Sequence, residues 1–204
     1  MGNRAVITTP EKKIGLYLHW NGGRDSVEPM LKYCEMKGYR APGDSYGWAR
    51  LAQVAGNFFG GSLSVGIDLY ENLDADNWDN GVYIIEGWKI VGREYFDGSE
   101  QQEYDFNDML KEFDKAMPEG EQLGEYLNAQ EVPVSSVKLG DMVYKRDFRD
   151  NIVAYEVVGF GNGTVNGTKC SGVPYVAIYG RDGDYSWNIN NYILGDTCRI
   201  KPKY

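Results

Sequence analysis

The side chains able to do chemistry in this chain are few and fall in three places. His19 is the only histidine and closes the run Leu16-Tyr17-Leu18-His19. Behind it, Asn21, Gly22, Gly23 and Arg24 form a donor-rich turn of the kind that holds a small anion at a helix N-terminus. The turn lacks the lysine and the serine or threonine of a phosphate-binding loop, so an ordinary strand-to-helix connection explains it as well. Asp74, Asp76 and Asp79 offer carboxylates that can bind magnesium for phosphodiester cleavage. They depart from a calcium loop, because Trp78 stands at the third ligand position and Asp79 where a glycine is required; a polar hairpin loop is the alternative. The third place is a row of acids, Glu94, Asp97, Glu100, Glu103, Asp105 and Asp108, spaced two or three residues apart. No nucleophile motif accompanies them.

The 3 cysteines, Cys34, Cys170 and Cys198, are too far apart for a zinc half-site and read as reduced thiols. No metal or other cofactor is expected. No apolar run approaches the roughly 20 residues that span a bilayer, and the N-terminus lacks a signal peptide's apolar core. A cytoplasmic location is the expectation.

Net charge is −9 over 204 residues, and it is unevenly spread. Residues 1–67 carry 8 basic and 5 acidic side chains, residues 68–130 carry 4 and 17, and residues 131–204 carry 9 and 8. The middle third therefore holds all the excess negative charge. An acidic run of this kind can imitate a nucleic-acid backbone and occupy a basic channel, or it can simply keep a protein soluble.

Hydrophobic periodicity supplies the elements that must position these residues. Arg4–Thr9 predicts a strand, and Ile14, Leu16, Leu18 and Trp20 alternate on a second. Asp25 and Glu28 fit a capping box for a helix that ends at Gly38. A second helix starts near Ser45 and stops at Gly60-Gly61. Strands follow at 63–70, Gly81–Ile85 and Lys89–Phe96, then a helix carrying Phe106, Met109, Leu110, Phe113 and Met117. The order β-β-α-α-β-β-β-α predicts an α+β domain over residues 1–117, with an antiparallel sheet and three helices. Residues 118–131 read as an acidic linker.

From 132 onward helical spacing disappears and short strands succeed one another. Their loop order is similar to an SH3-like small barrel, which predicts an all-β domain over 132–204. Tyr144, Trp187 and Tyr192 would line a peptide or base-stacking groove if their face is exposed, and would pack a core otherwise. Lys138, Lys145, Arg146 and Arg149, with Tyr144 and Phe148 between them, would give the barrel a basic edge for direct nucleic-acid binding.

Gly2-Asn3-Arg4-Ala5-Val6-Ile7, Leu16-Tyr17-Leu18-His19-Trp20-Asn21-Gly22-Gly23-Arg24-Asp25-Ser26-Val27, Gly47-Trp48-Ala49-Arg50 and Asn57-Phe58-Phe59-Gly60-Gly61 resemble a group of uncharacterised small proteins. These are encoded by bacterial phages, plasmids and integrative elements. The resemblance covers roughly the first 95 residues and brings no catalytic residue with it. It implies an accessory gene of a mobile element, a setting in which inhibitors of host defence are common. Three functions follow as expectations. The first is a non-enzymatic inhibitor of the anti-CRISPR or anti-restriction type, binding a basic, nucleic-acid-binding host nuclease through Asp74, Asp76, Asp79 and the acidic row. The second is nucleic-acid binding by the barrel, and the third a metal-dependent hydrolase using the aspartate loop.

Overall fold

The computed structural model describes residues 3–60, 64–100, 102–147, 149, 151–165, 168–176 and 192–202. The chain divides into two compact units, Met1–Gln122 and Leu123–Tyr204.

The first unit runs β1 (Ala5–Thr8), β2 (Ile14–Leu18), α1 (Arg24–Met36), α2 (Ser45–Phe58), β3 (Val65–Leu69), β4 (Val82–Glu86), β5 (Lys89–Glu94) and α3 (Phe106–Ala116). The element order is the one periodicity predicts, but the pairing is not. The sheet order is β3-β2-β1-β4-β5, and β1 lies parallel to β4, with Val6 opposite Val82 and Thr8 opposite Ile84. The expected antiparallel sheet is therefore a mixed one. The cause is the chain between β3 and β4: it forms no hairpin but runs back from one end of the sheet to the other before β4 begins. On the way Leu73 packs on Gly15, where an added Cβ would lie 2.6 Å from the leucine methyl. A central parallel strand needs both faces covered, and Ala5, Val6, Ile7 and Thr8 of β1 are all fully buried. Helix α1 packs on α2 and α3, and Phe58 of α2 stacks on Phe113 of α3 with ring centroids 4.0 Å apart.

The expected capping box on α1 is absent. Gly23 is the N-cap and offers no side chain. Glu28 turns to Arg24, and Asp25 turns away to the chain ahead of α3. Helix α2 is capped by Asp44, whose carboxylate accepts the Gly47 N–H. Helix α3 is capped by Asp105, which accepts the Asn107 and Asp108 N–H groups.

The second unit is an antiparallel sheet of β6 (Gln130–Pro133), β7 (Met142–Arg146), β8 (Ile152–Val165), β9 (Thr168–Val176) and β10 (Thr197–Ile200), in the order β6-β10-β7-β8-β9. It is not an SH3-like barrel. β10 inserts between β6 and β7, which leaves β6 at one edge, and β9 pairs only with β8 among the described strands. Loop order fixes the succession of strands but not which edges meet. The core of this unit is small, made of Val137, Val143, Val157, Val176 and Ile193.

Candidate functional site

The register of the first sheet brings several connections to one end. Ala5 faces Leu18 across β1 and β2, Val6 faces Val82 across β1 and β4, and Val82 faces Glu94 across β4 and β5. The starts of β1 and β4 and the ends of β2 and β5 therefore share that end, together with the N-terminus of α1. A cleft of about 590 Å³ opens there.

Asn77 builds one wall. Its side chain is completely buried. Its amide nitrogen donates to the carbonyls of Asp74 and Gly81, both at 3.2 Å. Its amide oxygen accepts the N–H groups of Asp79 at 3.2 Å and Gly81 at 3.0 Å. With the loop tied from inside, its tip residue Trp78 is pushed outward and is 88% exposed, with φ of +58°. The loop is fastened to the start of β1: the Arg4 Nε donates to Asp79 at 2.7 Å and the Asn80 Nδ2 to Asn3 at 2.5 Å. Gly81 must be a glycine, because an added Cβ would lie 2.2 Å from the Glu94 carbonyl and its φ is +59°.

A second wall is the chain from β5 to α3. Asp25 at the start of α1 accepts the N–H groups of Glu103 at 2.7 Å and Tyr104 at 3.0 Å. Arg93 holds the other part of this chain. Its guanidinium lies between the rings of Tyr83 and Phe96, 3.8 and 4.0 Å from their centroids. It also pairs with Glu100 at 2.6 Å and donates to the Asn80 carbonyl at 2.7 Å. Phe96, Glu103 and Tyr104 line the cleft, as do Trp20, Asn21 and Trp78. Trp20 is 45% and Tyr104 43% exposed. A second cleft of about 370 Å³ adjoins the first, sharing Asn21, Glu103 and Tyr104 and adding Asp105, Asp108 and Glu112. Among the described residues no lysine or arginine lines either cleft.

Among the described residues, four non-glycines have left-handed backbone: Lys12, Asn21, Trp78 and Tyr95. The last three gather at this end of the sheet. Such residues cost of order 1–3 kcal/mol each and concentrate at functional sites.

The expected anion turn lies at this cleft, but its donors serve the chain itself. The Gly22 N–H donates to the Asn3 carbonyl at 2.8 Å, and an added Cβ at Gly23 would meet the Asp25 carboxylate at 2.7 Å. Arg24 is paired with Glu28 at 2.8 Å.

The acidic row separates into two groups. Asp74 and Asp79 pair with Arg4 at 3.7 and 2.7 Å, Glu94 with Lys12 at 2.6 Å, Glu100 with Arg93, and Asp108 with Lys111 at 2.9 Å. The Asp79 hydrogen bond is the chief reason that the Arg4 guanidinium is held above its ordinary pKa. Asp76, Asp97, Glu103 and Asp105 form no ion pair among the described residues. With Asp74 and Asp79 on Arg4, the aspartate loop does not converge on a metal position, and no group of three or more metal-ligating side chains occurs among the described residues. His19 Nδ1 lies 3.0 Å from the Tyr17 hydroxyl, and its ring meets Trp20 edge-on.

In the second unit, Tyr144 packs against Tyr126 with centroids 5.1 Å apart. Tyr192 is buried, and an added Cβ at Gly161 would strike its hydroxyl at 2.6 Å. Tyr192 thus packs against its own sheet, and Tyr144 against the helical turn of residues 124–128. Trp187 and Phe148 lie outside the described residues. Of the basic edge, Lys145 donates to the Tyr192 carbonyl, and burial pushes its ammonium pKa down.

Sequence reasoning missed Trp20, Trp78, Phe96 and Tyr104 as site residues. One signal was present: an aromatic set in the polar run Asp76-Asn77-Trp78-Asp79-Asn80, where no hydrophobic pattern offers it burial.

No protein-family model, curated protein or solved structure matches the chain.

Proposed function

We propose that the chain is a non-enzymatic binding protein that captures a basic partner through the two adjoining clefts of its first unit. The observation that carries this is their lining: Asp79, Glu103, Asp105, Asp108 and Glu112 face them, no lysine or arginine among the described residues lines them, and Glu103 and Asp105 form no ion pair among the described residues. A cleft lined by one sign of charge focuses its field and steers an opposite charge into place. The surface is narrower than the full acidic row, because Asp74 and Asp79 pair with Arg4, Glu94 with Lys12, Glu100 with Arg93, Asp108 with Lys111 and Glu112 with Lys115, which leaves Glu103 and Asp105 as the carboxylates of the clefts without an ion pair among the described residues. The resemblance to mobile-element proteins supports a host partner. A defence nuclease or another nucleic-acid-binding protein of the host cytoplasm has the basic channel that this surface fits, and occupying the channel would inhibit it.

The test uses octa-lysine as a stand-in for a basic partner, titrated against the full chain. Binding weakens by about tenfold or more between 0.05 and 0.3 M salt as exposed charges are screened. Glu103→Gln combined with Asp105→Asn weakens it further at low salt. Equal affinity at both salt concentrations, or no binding at low salt, overturns the reading.

A further inference from the structure

We infer that the larger cleft is an arginine pocket: it takes one guanidinium of the basic partner, stacked on Trp78 and Trp20 and hydrogen-bonded by Glu103. This rests on the reading above and says which cation is selected and by which side chains.

Charge alone does not account for the cleft. Trp78 is 88% exposed on a left-handed backbone, a position where folding gains almost nothing from a tryptophan. Trp20 and Tyr104 are also near half exposed across the same space. Tryptophan is among the residue types that most often dominate binding energy once a partner covers them. The polar side chains that line the cleft with these rings are the carboxylates and amides of Asp79, Glu103, Asn3, Asn21 and Asn80 and the hydroxyl of Ser99. Among the described residues no lysine or arginine lines it to hold a phosphate or other anion. Asp79 is neutralised by Arg4 at 2.7 Å, so the lining carboxylate without an ion pair among the described residues is Glu103.

An aromatic face beside a free carboxylate suits a guanidinium better than an ammonium. The guanidinium is planar, weakly hydrated, and able to stack and to bond a carboxylate at two points, whereas an ammonium is a compact, strongly hydrated point charge. The chain already uses this recognition at the base of the wall from β5 to α3, where Arg93 is held between Tyr83 and Phe96 and bonds Glu100.

The experiment compares octa-arginine with octa-lysine on the full chain at 0.05 M salt, followed by tryptophan fluorescence and calorimetry. Trp78→Gly removes the indole and keeps the left-handed backbone. Glu103→Gln removes the carboxylate, and Asp76→Asn removes an equal charge from an exposed acid that lines neither cleft. We expect octa-arginine to bind about threefold to thirtyfold tighter than octa-lysine, the range set by one cation–π contact from exposed to desolvated. Trp78→Gly and Glu103→Gln each erase that preference; octa-lysine binding stays within about twofold of wild type in Trp78→Gly, and in Glu103→Gln it weakens by more than in Asp76→Asn. Equal binding of the two peptides by the wild type, or a preference untouched in Trp78→Gly, overturns the arginine pocket and leaves the basic-partner reading standing. Binding of neither peptide overturns both. Tighter binding of a neutral sugar or a nucleotide at Trp78 than of N-acetyl-arginine amide overturns the pocket.

Discussion

The two ends of the first sheet are built on different terms. At the end away from the cleft, β1 joins β2 and β4 joins β5 by tight turns, closed at Lys12, whose N–H donates to the Thr9 carbonyl, and at Gly87 with φ of +62°. At the cleft end lie the connections from β2 to α1, into β4, and from β5 to α3. There the backbone is held by side chains reaching across the structure: Arg4 to Asp79, Asp25 to residues 103 and 104, and Arg93 to Asn80. The turn end has non-local bonds too, Lys12 to Glu94 at 2.6 Å and the Trp88 indole N–H to the Tyr39 carbonyl at 2.9 Å, but its turns close locally and carry no left-handed aromatic among the described residues. The cleft end relies on non-local polar bonds for its connections and displays Trp78 and Tyr95 on left-handed backbone.

The largest test of this contrast substitutes one left-handed glycine at each end. Gly81→Ala has to place a methyl group 2.2 Å from a carbonyl oxygen, while Gly87→Ala meets nothing within 4 Å. Both incur the left-handed penalty of about 1 kcal/mol, so Gly87→Ala costs about that much. Gly81→Ala must also shift the end of β5 and costs about 3 kcal/mol or more. Urea denaturation of the two variants measures the difference; equal midpoints would mean that the cleft end is no more constrained than the turn end.

Asn77→Ala comes next. It strands the N–H groups of residues 79 and 81 and the Asp74 carbonyl, while the Gly81 carbonyl keeps the Val6 N–H. Each unsatisfied buried group costs about 1–3 kcal/mol, and water can reach part of this loop once the side chain is cut, so the expected loss is about 2–3 kcal/mol. Hydrogen exchange at the Gly81 amide, accelerated well beyond that at Ile85 in the strand β4 that follows it, is the local readout. Uniform acceleration would instead mark global destabilisation.

Trp78→Gly has the smaller and opposite effect on the fold. It removes a non-glycine from φ of +58° and sacrifices little burial, so stability is unchanged or rises by at most about 1 kcal/mol. A melting temperature that falls markedly would make Trp78 a structural residue and weaken its assignment to binding.

Much of the first unit was legible in the sequence because its elements are local. The stripe Val27, Met30, Leu31 and Cys34 marks α1, and all four residues are buried. The partner of β1 was not legible, since parallel pairing with β4 depends on a return crossing that the intervening residues do not advertise. Nor was the second sheet's open edge, which rests on β10 entering between β6 and β7. Asp105 and Asp108 could be named as acids that matter, and they do reach a cleft. Asp74 and Glu94 looked equivalent in spacing, but Arg4 and Lys12, some 70 to 82 residues away in sequence, neutralise them. Asn77 was within reach: its bonds go to backbone two to four residues away, the range of an asparagine turn.

The smallest predicted effect tests the turn end by pH. The Asp44 carboxylate caps α2 by accepting the Gly47 N–H at 3.0 Å and also bonds Arg40 at 2.7 Å. The backbone bond first, and Arg40 second, hold this carboxyl below its ordinary range. A depressed folded pKa contributes stability that is present above the unfolded value of about 3.9 and is lost as pH falls through the folded one. Acidification below about pH 4 should therefore loosen the first turn of α2. Asp44→Asn, which keeps a capping oxygen without the charge, removes that response. Amide exchange at Gly47 followed from pH 5 to pH 2, at equal salt, reads it directly. The side chain is 43% exposed, so solvent screening keeps the effect local and small. Parallel profiles for wild type and variant would show that the charge on this cap does no work, and that the turn end is held by backbone geometry alone.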